Sequence, residues 1–247
     1  MFSHVLGFTL IMTRVSSFFL VLPIFGWSTI PLQVRVAIVM LLSLFFCVFR
    51  PLGIHPEAMS AMGAMLLLAS EVVYGLALGL TAAMLFSVIQ VAGRIAEQQM
   101  GMTMSEILDP LTGEETGSLS SLMDMVFILL FLSANGHHLF LQILSRSYDA
   151  FPPGMTPRLD LLVEGVVSTG SAMFVASLRL AAPLLAAFLV LMVTLALLAR
   201  LVPEMDILYI SMPVRVGLGL FLVAAFMPFV GGFVTEMADW MAKLLPI

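Results

Sequence analysis

Three charges stand inside otherwise apolar sequence: Arg14 within residues 5–25, Glu71 within 58–92 and Arg179 within 165–199. A charge in the middle of a membrane-type helix faces a bundle interior or an aqueous path, or it reaches the helix end by snorkelling. Such charges could move an ion or solute, or they could pair and set helix packing. For Arg14 and Glu71 pairing is the preferred expectation, because lone charges more often fix geometry than carry cargo.

A second polar group comprises Gln90, Arg94, Glu97 and Gln98, spaced i, i+4, i+7 and i+8, which is one stripe of a helix. Arg94 and Glu97 are three apart and placed to pair on that face. A solvated helix end and an inter-subunit or pore-facing stripe are equally weighted. Gly93 and Gly101, with Gly75 and Gly79 further back, let a neighbouring helix approach closely. Met100, Met102 and Met104 then lead into a polar stretch where Asp109-Pro110 stops the helix and Gly113 and Gly117 loosen the chain. Its acids Glu106, Asp109, Glu114 and Glu115 lack the alternation and central glycine of a calcium loop, so no metal site is expected. Flexible methionines suit a deformable seal, although core filling is their commoner use.

Asn135-Gly136-His137-His138 closes a long apolar run and predicts a helix C-terminus, with Asn135 or Gly136 left-handed and a histidine at the dipole's negative end. That reading is preferred to a proton relay or metal site. The chain has no Walker A loop, no Gly-x-Ser-x-Gly elbow and no His-Glu-x-x-His helix, and His4 and His55 stand alone. An enzyme is not expected, and without a nucleotide site the chain cannot draw on ATP by itself. The single cysteine, Cys47, lies in an apolar run and is expected to be a buried small hydrophobe.

The elements that must position these residues follow from composition. Hydrophobic residues make up 61% of the chain and charged residues 10%, against about a quarter charged in soluble domains, so a water-soluble globule is excluded. The apolar runs are continuous rather than alternating, which selects all-α, membrane-type structure over a closed barrel. Six runs occupy residues 5–25, 36–49, 58–92, 119–144, 165–199 and 207–233. A span takes about 20 residues, so the second run is too short and the third and fifth too long, which predicts kinks, hairpins or packing on partners. Pro23 and Pro31 end the first helix, Pro51 and Pro56 bracket a turn, Pro152, Pro153 and Pro157 mark a loop, and Pro183 predicts a kink. A net charge of −5 with no basic run excludes nucleic acid as a partner. Arginines are spread over nearly every connection and leave sidedness unassigned. Arg14 lies inside the first apolar run instead of ahead of it, so no cleaved signal peptide is expected. One membrane-type helical domain, residues 1–247, is the simplest organisation.

Taken in order, these segments resemble the FliR family of type III export-gate proteins, whose virulence-system (SctT-like) counterparts form the same superfamily. The resemblance runs through Arg14, Pro23, Pro31 and Arg35, then Glu71, Gly75 and Gly79, then Ala92-Gly93, Gln99, Gly101 and Asp109-Pro110. It continues through Asn135-Gly136-His137, Pro153-Gly154, Arg200, Pro203 and Pro213. Single positions are unspecific; their order over most of the chain carries the likeness, and Asn-Gly-His looks more like the flagellar than the injectisome branch. The sequence departs from the resemblance near Met192, where a family asparagine is expected, and near Ala196 and Ser211, where glycines are expected.

The resemblance implies a closed helical assembly with FliP-like and FliQ-like membrane subunits, joined by an FlhB-like export protein, in the inner membrane at the flagellar basal body. Residues 1–160 would resemble the first sister and residues 161–247 the hairpin of the second. Unfolded flagellar proteins would pass through the assembly, driven by other export components and the proton gradient, with lipid around it and no cofactor. The loop between Met104 and Ser118 would plug the pore, with Met100, Met102, Met104, Glu106, Asp109, Pro110, Gly113 and Gly117 as its residues. Arg14, Glu71, Gly75, Gly79, Gly93, Arg94, Glu97 and Arg200 would serve helix packing or subunit contacts. The alternatives are an injectisome gate subunit and a small-solute secondary transporter; the latter predicts repeated halves with interrupted helices, and no such repeat is found.

Overall fold

The computed structural model describes residues 2–23, 30–49, 61–102, 118–154, 159–202 and 206–244, and among them seven helices stand out. They are α1 (Phe2–Val21), α2 (Leu32–Phe49), α3 (Ala61–Met100), α4 (Ser118–Ser133), α5 (His137–Ala150), α6 (Leu159–Leu201) and α7 (Ile207–Leu244). Among the described residues there is no strand.

The helix ends depart from the apolar runs for local reasons. The Pro31 carbonyl accepts from the Val34 and Arg35 amides at 3.0 and 3.2 Å, so α2 begins at Leu32, ahead of its apolar run. It has 18 residues, about 27 Å at 1.5 Å per residue, and the span that looked too short approaches the ~30 Å of bilayer hydrocarbon. The α3 helix continues past the third apolar run to Met100 and reaches 40 residues. The fourth run is two helices. Asn135 takes φ 58°, a left-handed conformation that asparagine tolerates better than most residues, and α4 stops ahead of it. The His138 and Leu139 amides then donate to the carbonyls of Asn135 and Gly136, both at 3.0 Å, and start α5. His137 and His138 therefore sit at the N-terminus of α5, not in the last turn of the preceding helix, so the favourable dipole contact expected for them is absent. Pro183 lies inside α6, which continues on either side of it for a total of 43 residues.

Among the described residues four helices, α2, α3, α6 and the Tyr209–Phe226 part of α7, are long and apolar enough to cross a membrane, and α4 with α5 meets the same test only as a broken pair. Over half of the apolar window of α3 is buried, 53%, against 17% in α2, 22% in α6 and 17% in α7. The α3 helix is thus the most buried of the four, while the others leave more of their apolar side chains uncovered. Cys47, on outward-facing α2, is half-buried and not in the core.

The chain forms two compact units, each drawn from separate stretches. The first takes Met1–Leu85, Asn135–Ser171 and Ala238–Ile247. In it α1 packs on α2, and α1 buries Leu10, Ile11, Arg14, Val15 and Phe18, one stripe at helical spacing that includes the charge. Phe18 meets Phe140 edge-on at 6.3 Å. The second unit takes Phe86–Ala134 and Ala172–Met237. Its core centres on Phe86, whose ring meets those of Phe127 and Phe131 edge-on at 5.4 and 5.2 Å.

Candidate functional site

Arg14 of α1 and Glu71 of α3 are both completely buried. Arg14 Nε donates to Glu71 Oε2 at 2.5 Å. Nη1 of the same guanidinium donates to the carbonyls of Ser147 at 3.2 Å and Phe151 at 3.0 Å, at the end of α5. The Ser147 carbonyl also accepts from the Phe151 amide at 2.9 Å, and the last carbonyls of a helix carry the negative end of its dipole, so a cation is favourably placed there. Glu71 Oε1 accepts from the Gly154 amide at 3.3 Å, and Gly154 holds φ 94°, a conformation glycine adopts at no steric cost. The guanidinium carbon lies over the rings of Tyr148 and Tyr74, 4.5 and 5.0 Å from their centroids. One ion pair thus ties α1, α3, the end of α5 and the turn after it.

Backbone proximity makes that pair possible. Gly75 and Gly79 follow Glu71 at one-turn intervals on α3. A Cβ on Gly75 would lie 2.5 Å from the Arg14 carbonyl oxygen, and one on Gly79 would lie 2.8 Å from that of Phe18. The α1 backbone therefore rests directly on the glycine stripe, which brings the Arg14 side chain to Glu71.

In the second unit the polar stripe divides. Gln90, Gly93 and Glu97 face α4, whereas Arg94 and Gln98 are exposed. Gln90 Nε2 donates to Asp124 Oδ2 at 3.2 Å. A Cβ on Gly93 would lie 3.0 Å from the Ser120 Cα. Glu97, 2% exposed, accepts through Oε1 from the amides of Leu119 at 2.5 Å and Ser120 at 3.0 Å. The expected Arg94–Glu97 pair is not what the carboxylate makes: two unsatisfied amides of the first α4 turn compete better for it than a solvated guanidinium.

The end of α3 is equally defined. Gly101 holds φ 78°, its amide donates to the Gln98 carbonyl at 3.1 Å, and the Met102 amide donates to the Glu97 carbonyl at 3.2 Å. These two bonds form a Schellman cap. Glu97 therefore holds the chain on both sides of residues 103–117, by its carbonyl before them and its carboxylate after them. Met100 is buried against α7, where a Cβ on Gly219 would lie 2.6 Å from its Cγ.

Of the residues assigned to the plug, Met100 and Met102 fall at this capped end of α3. Met104, Glu106, Asp109, Pro110, Gly113 and Gly117 lie outside the described residues. Arg200 is exposed near the end of α6. Sequence reasoning missed Tyr74, Tyr148 and the backbone groups that complete the Arg14 clamp, and backbone partners leave no side-chain signature. It also missed Asp124, which is 7% exposed; a lone acid in an apolar run was the available signal.

Residues 5–241 match the profile of the bacterial export proteins, family 1. Among curated relatives, the flagellar biosynthetic protein FliR of Escherichia coli strain K12 is 29% identical over 232 residues, covering 94% of this chain and 88% of that protein. The protein of the same name from Bacillus subtilis strain 168 is 27% identical over 223 residues, covering 88% and 84%. That of Caulobacter vibrioides is 25% identical over 217 residues, covering 87% and 86%. This chain belongs to the bacterial export proteins, family 1, and is a membrane subunit of the flagellar type III export gate.

Proposed function

We propose that the chain works inside a closed helical assembly with FliP-like and FliQ-like membrane subunits and an FlhB-like export protein, through which unfolded flagellar proteins cross the inner membrane. The observation that carries this reading is the uncovered apolar length of α2, α6 and α7, whose spanning windows are only 17%, 22% and 17% buried. Helices of 43 and 38 residues exceed a simple span and find cover on sister subunits. Residues 1–160 take the part of a FliP-like subunit and 161–247 that of a FliQ-like hairpin. Residues between Met104 and Ser118 form the plug, and Glu97 is the post that holds the chain at both ends of it. The reading assigns the chain no covalent chemistry; energy enters through other export components and the proton gradient.

The test is co-expression with the two sister proteins, purification through this chain in detergent, and native mass spectrometry. A stable hetero-oligomer with one copy of this chain is the expected result. Recovery only as a monomer or homodimer beside well-expressed sisters refutes the assembly. Deletion of residues 106–117 in the assembled complex is expected to open an ion leak across the membrane, and an unchanged conductance rules out the plug.

A further inference from the structure

The α6 helix has 43 residues, about 64 Å at 1.5 Å per residue, where even a span tilted by 40° through ~30 Å of hydrocarbon needs only about 39 Å. Arg179 stands near its middle and is exposed; among the described residues no hydrogen bond or ion pair holds it. Val175, Arg179, Ala182, Ala186, Val190 and Val193 advance by three or four residues along one exposed stripe.

Lipid alone cannot cover this stripe. With the hydrocarbon centred on Arg179, the guanidinium lies about 15 Å from either boundary, beyond the reach of its side chain. With Arg179 at a boundary, half of α6 leaves the hydrocarbon. That half exposes either Val163 (60%), Val167 (64%) and Phe174 (63%) or Leu189 (64%), Val190 (64%) and Leu201 (76%) to water. Both placements call for protein against the helix, and a carboxylate in that protein is the partner that best complements a cation held away from water.

Among the side chains the structure describes, a second copy of this chain offers no exposed carboxylate in the middle of an apolar helix. Among the acids whose side chains are described, those within apolar helices, Glu71, Glu97 and Asp124, are buried and already hydrogen-bonded. The exposed ones, Asp149, Asp160, Glu164 and Asp206, lie at or near helix ends. We propose that the stripe around Arg179 docks an apolar helix of a different membrane subunit, close-packed at Ala182 and Ala186, with a carboxylate of that subunit opposite Arg179. This inference rests on the chain working in a hetero-oligomer, as proposed above.

The experiment places a photo-crosslinking phenylalanine at Val175 and, separately, at Ala182 of the full chain, in native membranes holding the export apparatus, and identifies adducts by mass spectrometry. Both positions are expected to capture one membrane protein other than this chain, at a peptide carrying Asp or Glu. Arg179→Glu is expected to lower recovery of that protein at least tenfold, Arg179→Lys to retain it, and exchange of the captured carboxylate for lysine to restore it in Arg179→Glu. Adducts to a second copy, absence of protein adducts while the complex is recovered intact, or unchanged recovery with Arg179→Glu each overturn the proposal. Because crosslinking leaves Arg179 in place, it decides even where the charge-reversed chain misfolds. Capture of a carboxylate-bearing subunit foreign to flagellar export leaves the docking line standing and removes the assembly proposed above instead.

Discussion

Arg14 and Glu71 are 57 residues apart in sequence, yet they meet at 2.5 Å with no solvent exposure. The pair holds together α1, α3 and the end of α5 with the turn after it. Removing one partner strands the other charge in a dry interior, which costs about 3–5 kcal/mol. Glu71→Ala and Arg14→Ala are each expected to destabilise the purified chain by that order. Arg14→Met with Glu71→Met together is expected to cost much less, because no charge is then left buried. Unfolding in detergent for the two singles and the double checks this; equal loss in all three means the pair is not the coupling unit.

Gly75 and Gly79 are predicted to resist even a methyl group. Alanine at either position collides with an α1 carbonyl, a backbone contact that no rotamer change relieves, and overpacking of this kind costs about 1–3 kcal/mol. At Gly217 an added methyl group would meet nothing within 4 Å, so alanine is expected to be neutral or to stabilise by up to about 1 kcal/mol through helix propensity. Thermal stability of the three variants in one detergent ranks them.

Glu97 is predicted to protect two specific amides. Glu97→Ala removes the acceptor for Leu119 and Ser120 and is expected to cost about 0.5–2 kcal/mol, as loss of a helix cap does. Hydrogen exchange at the start of α4 is expected to accelerate in that variant, and less so in Glu97→Gln, which keeps a neutral acceptor. Unchanged exchange in both variants shows that α4 is held elsewhere.

Gly101 is predicted to be replaceable by asparagine at lower cost than by valine. Its φ of 78° is a left-handed conformation that asparagine tolerates and a β-branched residue does not. The expected difference is about 1 kcal/mol or more, read from unfolding of Gly101→Asn and Gly101→Val.

Much of the fold was legible because it is set by neighbours along the chain. Continuous apolar runs leave helices as the way to satisfy the backbone in lipid, and Asn135 stops a helix by its own conformational tolerance. The boundaries that were missed are also local. Counting apolar residues overlooked the first turn of α2, Leu32 to Arg35, whose Val34 and Arg35 amides close the turn on the Pro31 carbonyl.

By itself, then, the sequence determined an all-helical membrane chain, the charges that had to find partners and the glycines able to admit a close neighbour. Only the tertiary structure decided which groups meet. Arg94 stood three residues from Glu97 and was the nearest candidate by spacing, yet the carboxylate turned to the Leu119 and Ser120 amides across the fold. Arg14 found Glu71 together with the Ser147 and Phe151 carbonyls and the Gly154 amide around the pair. Every residue carries such backbone groups, so residue identity cannot announce which of them will be left unsatisfied; that depends on where helices end and what is packed against the ends.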